Sequence, residues 1–127
     1  MEEIKMQIDK TTKNNIQIAV VQSDGCILMD TQSALDLIMS VNYETGCDRI
    51  AINKEAITED FFILSTRLAG DILQKFINYR IKFSIYGDFS GYTSKPLKDF
   101  IYECNHGKDV FFASDVDDAV NRLSAAH

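Results

Sequence analysis

The chain has no tryptophan, one proline, two histidines and three cysteines in 127 residues. Each scarcity closes off a class of fold or function. Cys26, Cys47 and Cys104 are odd in number and widely spaced. That pattern fits neither a disulfide framework nor a zinc site and agrees with a reducing cytosol. Each cysteine reads as a small buried apolar residue. His106 falls in a helix-end sequence and His127 is the final residue, so neither stands beside a candidate nucleophile. No phosphate-cradling glycine loop, Gly-x-Ser-x-Gly elbow or His-Glu-x-x-His pair occurs. The expectation is a chain without catalytic residues, metal or other cofactor, leaning away from an enzyme.

Apolar runs are only a few residues long, far short of a membrane span. "MEEIKMQIDK" alternates charged and apolar residues with no signal-like apolar stretch, so a cytoplasmic protein without membrane contact is expected. No Lys/Arg run offsets the net charge of −6. A surface of that sign repels phosphate backbones, which argues against a nucleic-acid partner.

What remains is an ordinary globular composition, 46% hydrophobic and 25% charged. Its length suits one domain, residues 1–127, that buries about two-thirds of its unfolded surface. "IKMQI" and "IQIAVV" read as two strands of an antiparallel hairpin, with "KTTKNN" between them. "SDG" is a turn, and "CILM" a short extended piece. Asp30 caps a helix whose face comprises Ala34, Leu35, Ile38, Met39 and Val41, and Gly46 stops it. "DRIAIN" is the next strand. Residues 58–79 then read as a helix of about five turns, with Phe61, Leu64, Leu68, Ile72 and Phe76 recurring at helical steps. "IKFSIYG" is a strand. Ser94 caps a helix with Pro96 in its first turn, ending at "NHG" with Gly107 left-handed. "DVFFA" is the last strand, and Ser114 with Asp117 forms a variant capping box for the final helix. The order β-β-α-β-α-β-α-β-α predicts an α/β fold: a mostly parallel sheet with an antiparallel edge hairpin and packed helices.

Several long phrases, "GCDRIAIN", "ITEDFF", "LAGDILQKFINYRIKFSIYGDFS" and "DFIYE", resemble a family of small bacterial proteins designated domain of unknown function 4180. More distantly, the element order is similar to that of STAS domains, the anti-sigma-factor antagonist fold. In those proteins a parallel strand leads into an Asp-Ser-Ser-Gly turn whose serine is phosphorylated to control partner binding. Here the equivalent turn reads "KEAITEDFF", without that phrase. The resemblance therefore implies a regulatory architecture without supplying the modified serine.

Two surfaces are candidates for function. The first follows the turn after the third strand: Thr58, Glu59, Asp60, Phe61, Ser65, Thr66 and Arg67. Thr58 as a phosphorylation switch competes with Thr58 as a simple N-cap, and Glu59 and Asp60 would repel a phosphate there. Adjacent helical residues diverge by about 100°, so burying both Phe61 and Phe62 requires cover on two sides. The cover comes either from the domain's own helices or from a second copy, making a homodimer. The second candidate surface lies where ligands bind in open α/β sheets, at the strand carboxyl ends: Asn53, Asp88, Ser90 and Tyr92. Those residue types also serve as plain loop formers. The leading expectation is a non-catalytic regulatory module that binds an unknown protein partner. The alternative is a small polar-ligand binder or weak enzyme built on the strand-end loops.

Overall fold

The computed structural model describes residues 3–126. A five-stranded sheet in the order β1-β2-β3-β4-β5 carries four α-helices, as the α/β reading expects. The strands are β1 (Met6–Lys13), β2 (Ile16–Ser23), β3 (Arg49–Asn53), β4 (Lys82–Tyr86) and β5 (Val110–Ala113). β1 and β2 pair antiparallel, and every later pair is parallel. The helices are α1 (Thr31–Thr45), α2 (Leu68–Asn78), α3 (Lys95–Asn105) and α4 (Val116–Ala125).

The hairpin is tighter than the sequence suggests. Asn14 and Asn15 take φ of 52° and 64°, the pair of positive values that a two-residue type I′ turn needs. "KTTK" therefore belongs to β1, not to the loop.

From β2 onward the strands advance in one direction across the sheet. Right-handed crossovers repeated in one direction lay every connecting helix on the same side. The rows Ala19–Ile50–Phe83–Val110 and Val21–Ile52–Ile85–Phe112 accordingly pack under α1, α2 and α3 in the main core. Phe76 of α2 stacks on Phe83 with ring centroids 4.0 Å apart. The intervening row Val20–Ala51–Ser84–Phe111 faces the other way, where among the described residues only α4 covers the sheet, through Ala119 and Leu123. Ser84 is fully buried in that row, and its hydroxyl has no hydrogen-bond partner among the described residues. Arg49, at the start of β3, reaches across to donate to the carbonyls of Leu123 and Ala126, tying down the far end of α4.

Three helix ends behave as expected. Asp30 accepts the Ser33 N–H at 2.7 Å while Ser33 Oγ accepts the Asp30 N–H, a full capping box. Gly46 closes α1 at φ 69°. Ser94 Oγ accepts the Leu97 N–H. Other local expectations fail. Met39 is 45% exposed and Leu37 is buried in its place. α3 ends at His106 in an ordinary right-handed conformation, and Gly107 does not take the left-handed one. α4 is capped by Asp115 instead of Ser114; its carboxylate accepts the Asp118 N–H at 2.8 Å, and Asp118 reaches back to the Ser114 N–H at 3.0 Å.

The larger correction concerns residues 58–67. The five-turn helix does not form. Two 3-10 turns, Glu59–Phe62 and Leu64–Thr66, precede a left-handed Arg67, and α2 begins only at Leu68. Thr58 makes no side-chain cap. Thr66 explains the break: its hydroxyl lies 2.9 Å from the Asp60 carbonyl and 2.8 Å from that of Ile63, and accepts the Leu68 N–H at 3.2 Å. A hydroxyl bonded this way closes one turn and caps the next. The tighter winding buries both Phe61 and Phe62 inside this one chain, so the pair gives no reason to invoke a second copy.

Candidate functional site

The carboxyl ends of β3 and β4 release two segments that come to lie side by side, 54–67 and 87–94. Aromatic rings join them. Phe62 stacks on Tyr92 at 4.8 Å between centroids and 27° between planes, and meets the edge of Phe61 at 5.0 Å. Phe89 packs on both Phe62 and Tyr92 at 6.1 Å. Rings in offset or tilted contact of this kind add about 0.5–1.5 kcal/mol per pair beyond their area burial.

Polar groups then fix the register between the segments. The Tyr92 hydroxyl donates to the Glu59 carboxylate, with the two oxygens at 3.0 and 3.1 Å. Burial, the hydrogen bond to Glu59 and that carboxylate's charge push the Tyr92 phenol up to about 12. Lys54 crosses over the outside, with Nζ 5.3 Å from the Tyr92 centroid and 5.9 Å from that of Phe89, and donates to the Asp88 carbonyl at 2.7 Å. Its stem requires Gly87, where a Cβ would sit 2.9 Å from Lys54 Cβ.

Between these segments and the start of α3 lies an open groove of about 460 Å³. Its apolar surface comes from Phe62, Ile63, Leu64, Pro96 and Leu97. Its polar rim is Glu59, Ser65, Tyr92, Thr93 and Ser94.

The groove takes one part of each surface expected from the sequence. Glu59 and Ser65 come from the first, Tyr92 from the second. Asp60 and Arg67 are exposed but do not line it, Phe61 is interior, Thr58 lies outside it without capping the turn, and the Thr66 hydroxyl is occupied by its local turn. The second group of residues is not assembled into one pocket. Asn53 is buried, and its amide both donates to the Ser23 carbonyl (2.7 Å) and accepts the Ser23 N–H (2.9 Å), extending the β2–β3 ladder. Asp88 accepts the Ser90 N–H at 2.9 Å in a local turn, and hydrogen bonds from the Ser90 hydroxyl and N–H hold its carboxyl below the usual range. Asp88 borders a separate depression of about 580 Å³ with Ser114 and Asp118. Sequence reasoning missed Phe62, Leu64 and Leu97 as parts of a site, because each reads as plain core and only the juxtaposition of distant segments exposes their edges.

Among the described residues, no group of three or more His, Cys, Asp or Glu side chains is placed to hold a metal ion. No helix among them is long and apolar enough to cross a membrane. A family model described as domain of unknown function (DUF4180) matches residues 13–123. The chain belongs to that family. No curated protein matches it. The matched span of this DUF4180 domain holds the whole groove and both layers of the core, and begins at the last residue of β1.

Proposed function

We propose that this DUF4180 domain is a non-catalytic, cytoplasmic recognition module in bacterial regulation. Its groove receives an apolar side chain of a partner protein with a basic group beside it. The observation that carries this reading is the groove itself, an accessible apolar lining of Ile63, Leu64 and Pro96 backed by buried Phe62 and Leu97, under a rim bearing the Glu59 carboxylate. Apolar burial supplies affinity, and a carboxylate at the rim selects a cation over the anions that a chain of net charge −6 already repels. Among the described residues no histidine or cysteine lines the groove, and Glu59 is already hydrogen-bonded to Tyr92, which supports binding over proton-transfer chemistry. The three cysteines are free thiols, in keeping with a reducing compartment.

The resemblance to STAS domains points the same way. There the turn between strand and helix meets the partner, and here the equivalent turn forms one wall of the groove. Of its three candidate hydroxyls, only Ser65 lines the groove, so negative charge added there, on the same rim as Glu59, would tighten the hold on the partner's basic group.

Affinity capture from the native cell tests the reading. The unmodified chain should retain a partner that both Ile63→Lys and Ser65→Lys lose, since each sets a like charge beside the partner's basic group, each side chain is exposed on the wall and neither change disturbs the core. A captured set that both variants leave intact overturns it. The alternative, a small polar ligand at the strand ends, has less support because Asn53, Asp88 and Tyr92 spend their polar groups within the chain. A metabolite that stabilises the domain by more than about 2 kcal/mol at saturation would reverse that ranking.

A further inference from the structure

One edge of the sheet is closed and the other is open. β5 is four residues long, and the outward N–H and C=O of Phe112 are both taken by the Asn105 amide, at 2.7 and 3.2 Å. β1 is eight residues long, and no strand among the described residues lies on its outer side. The Lys5 carbonyl accepts the Asp24 N–H and the Lys5 N–H donates to the Asp24 carboxylate, so odd-numbered main-chain groups of β1 point toward β2. Antiparallel ladders alternate. The N–H and C=O groups of Ile4, Met6, Ile8 and Lys10 therefore point outward, with no strand among the described residues to pair with them.

The side chains divide in the same rhythm. Even-numbered residues lie on the α1 side, where Ile8 touches the main core. Ile4 and Met6 there are 51% and 42% exposed beside a depression of about 310 Å³ shared with Ile27 and Leu37. Odd-numbered residues lie on the α4 side, where Asp9 and Thr11 border a depression with Val116 and Val120.

We propose that β1 pairs antiparallel with β1 of a second copy of this chain, across a two-fold axis at Gln7. An axis perpendicular to the sheet keeps each face on its own side, so only even-to-even and odd-to-odd registers are allowed. An axis at Asp9 or Lys10 sets like charges against each other. An axis at Met6 sets Glu3 against Asp9, and one at Ile8 leaves Asp9 opposite Gln7. Only the axis at Gln7 places Lys5 of each copy opposite Asp9 of the other, and Met6 opposite Ile8. Opposite charges and apolar pairs directly across a ladder both favour the register. Lys5 and Asp9 then occupy the closely spaced, non-hydrogen-bonded positions, while the outward groups of Ile4, Met6, Ile8 and Lys10 complete the backbone ladder. The Lys10 stem lies over Ile4 of the other copy, with its ammonium in water.

The test uses the intact chain in sedimentation equilibrium, together with cysteine variants under mild oxidation. A dimer should form by roughly 100 μM. Gln7→Cys should give a disulfide-linked dimer well above the background from the native thiols, because residue 7 meets itself across the axis. Lys5→Cys alone should not, whereas a mixture of Lys5→Cys and Asp9→Cys chains should. Lys5→Glu should weaken the dimer about tenfold, and Lys5→Glu with Asp9→Lys should restore it. A monomer throughout the range overturns the proposal. So does a dimer that Gln7→Cys fails to cross-link, or one indifferent to charge reversal at Lys5, since either would form through another face.

Discussion

Replacing Ser84 by alanine should make the protein more stable. Ser84 lies in the middle of β4, between Ala51 and Phe111 in the row beneath α4, with none of its surface exposed. Its hydroxyl meets no acceptor or donor. A buried hydroxyl without a partner costs about 1–3 kcal/mol in lost hydration. Removing one oxygen leaves a gap of roughly 10 Å³, which at about 24 cal/mol per Å³ costs only about 0.2 kcal/mol. The net gain is therefore about 1 kcal/mol or more. The unfolding entropy of 127 residues is about 0.27 kcal/mol/K, so each kcal/mol raises Tm by about 4 °C. Without tryptophan, far-ultraviolet circular dichroism in a urea titration is the suitable readout, checked by calorimetry. The converse change, Ala51→Ser, plants a hydroxyl in the same row and should destabilise by a similar amount. If Ser84→Ala lowers stability by 1 kcal/mol or more, the hydroxyl is bonded in solution and the account of this layer is wrong.

Two further outcomes follow from other side chains. The Tyr92 phenol, held protonated by burial and by Glu59, has a folded pKa above its unfolded value of 10.0, so its contribution is complete below pH 10 and disappears as pH rises toward about 12. Stability in that window should fall more steeply for the parent than for Tyr92→Phe, and identical slopes would refute the Glu59 latch. Asn53→Ala strips both backbone partners from Ser23 inside the sheet, at a cost of about 2–4 kcal/mol for two buried groups left unpaired. A loss under 1 kcal/mol in the same urea titration would show that water replaces the amide.

Alternating periodicities were enough to recover the layered fold, because each strand and helix carries its own local signal. Asp30, Gly46 and Ser94 were legible as helix ends for the same reason: a cap acts within a few residues of itself. The 58–67 segment was not, because its apolar spacing suits a helix and only the Thr66 hydroxyl, bonding to Asp60 and Ile63, diverts it. Asn14–Asn15 escaped notice because asparagine adopts positive φ less readily than glycine, and here two in succession do so. The groove was half legible. Glu59, Ser65 and Tyr92 stood out singly as polar loop residues, but their meeting depends on Phe62 stacking on a ring thirty positions away. No period in the sequence encodes that contact.

The division of labour between the two sides of the sheet has a consequence for a shortened polypeptide. Residues 116–125 cover the α4 side, so without them Ile18, Ala51 and Phe111 face water on a sheet otherwise complete. A chain truncated just after Ala113 would thus present a flat, greasy plane to its neighbours, and should aggregate where the chain carrying α4 stays in solution.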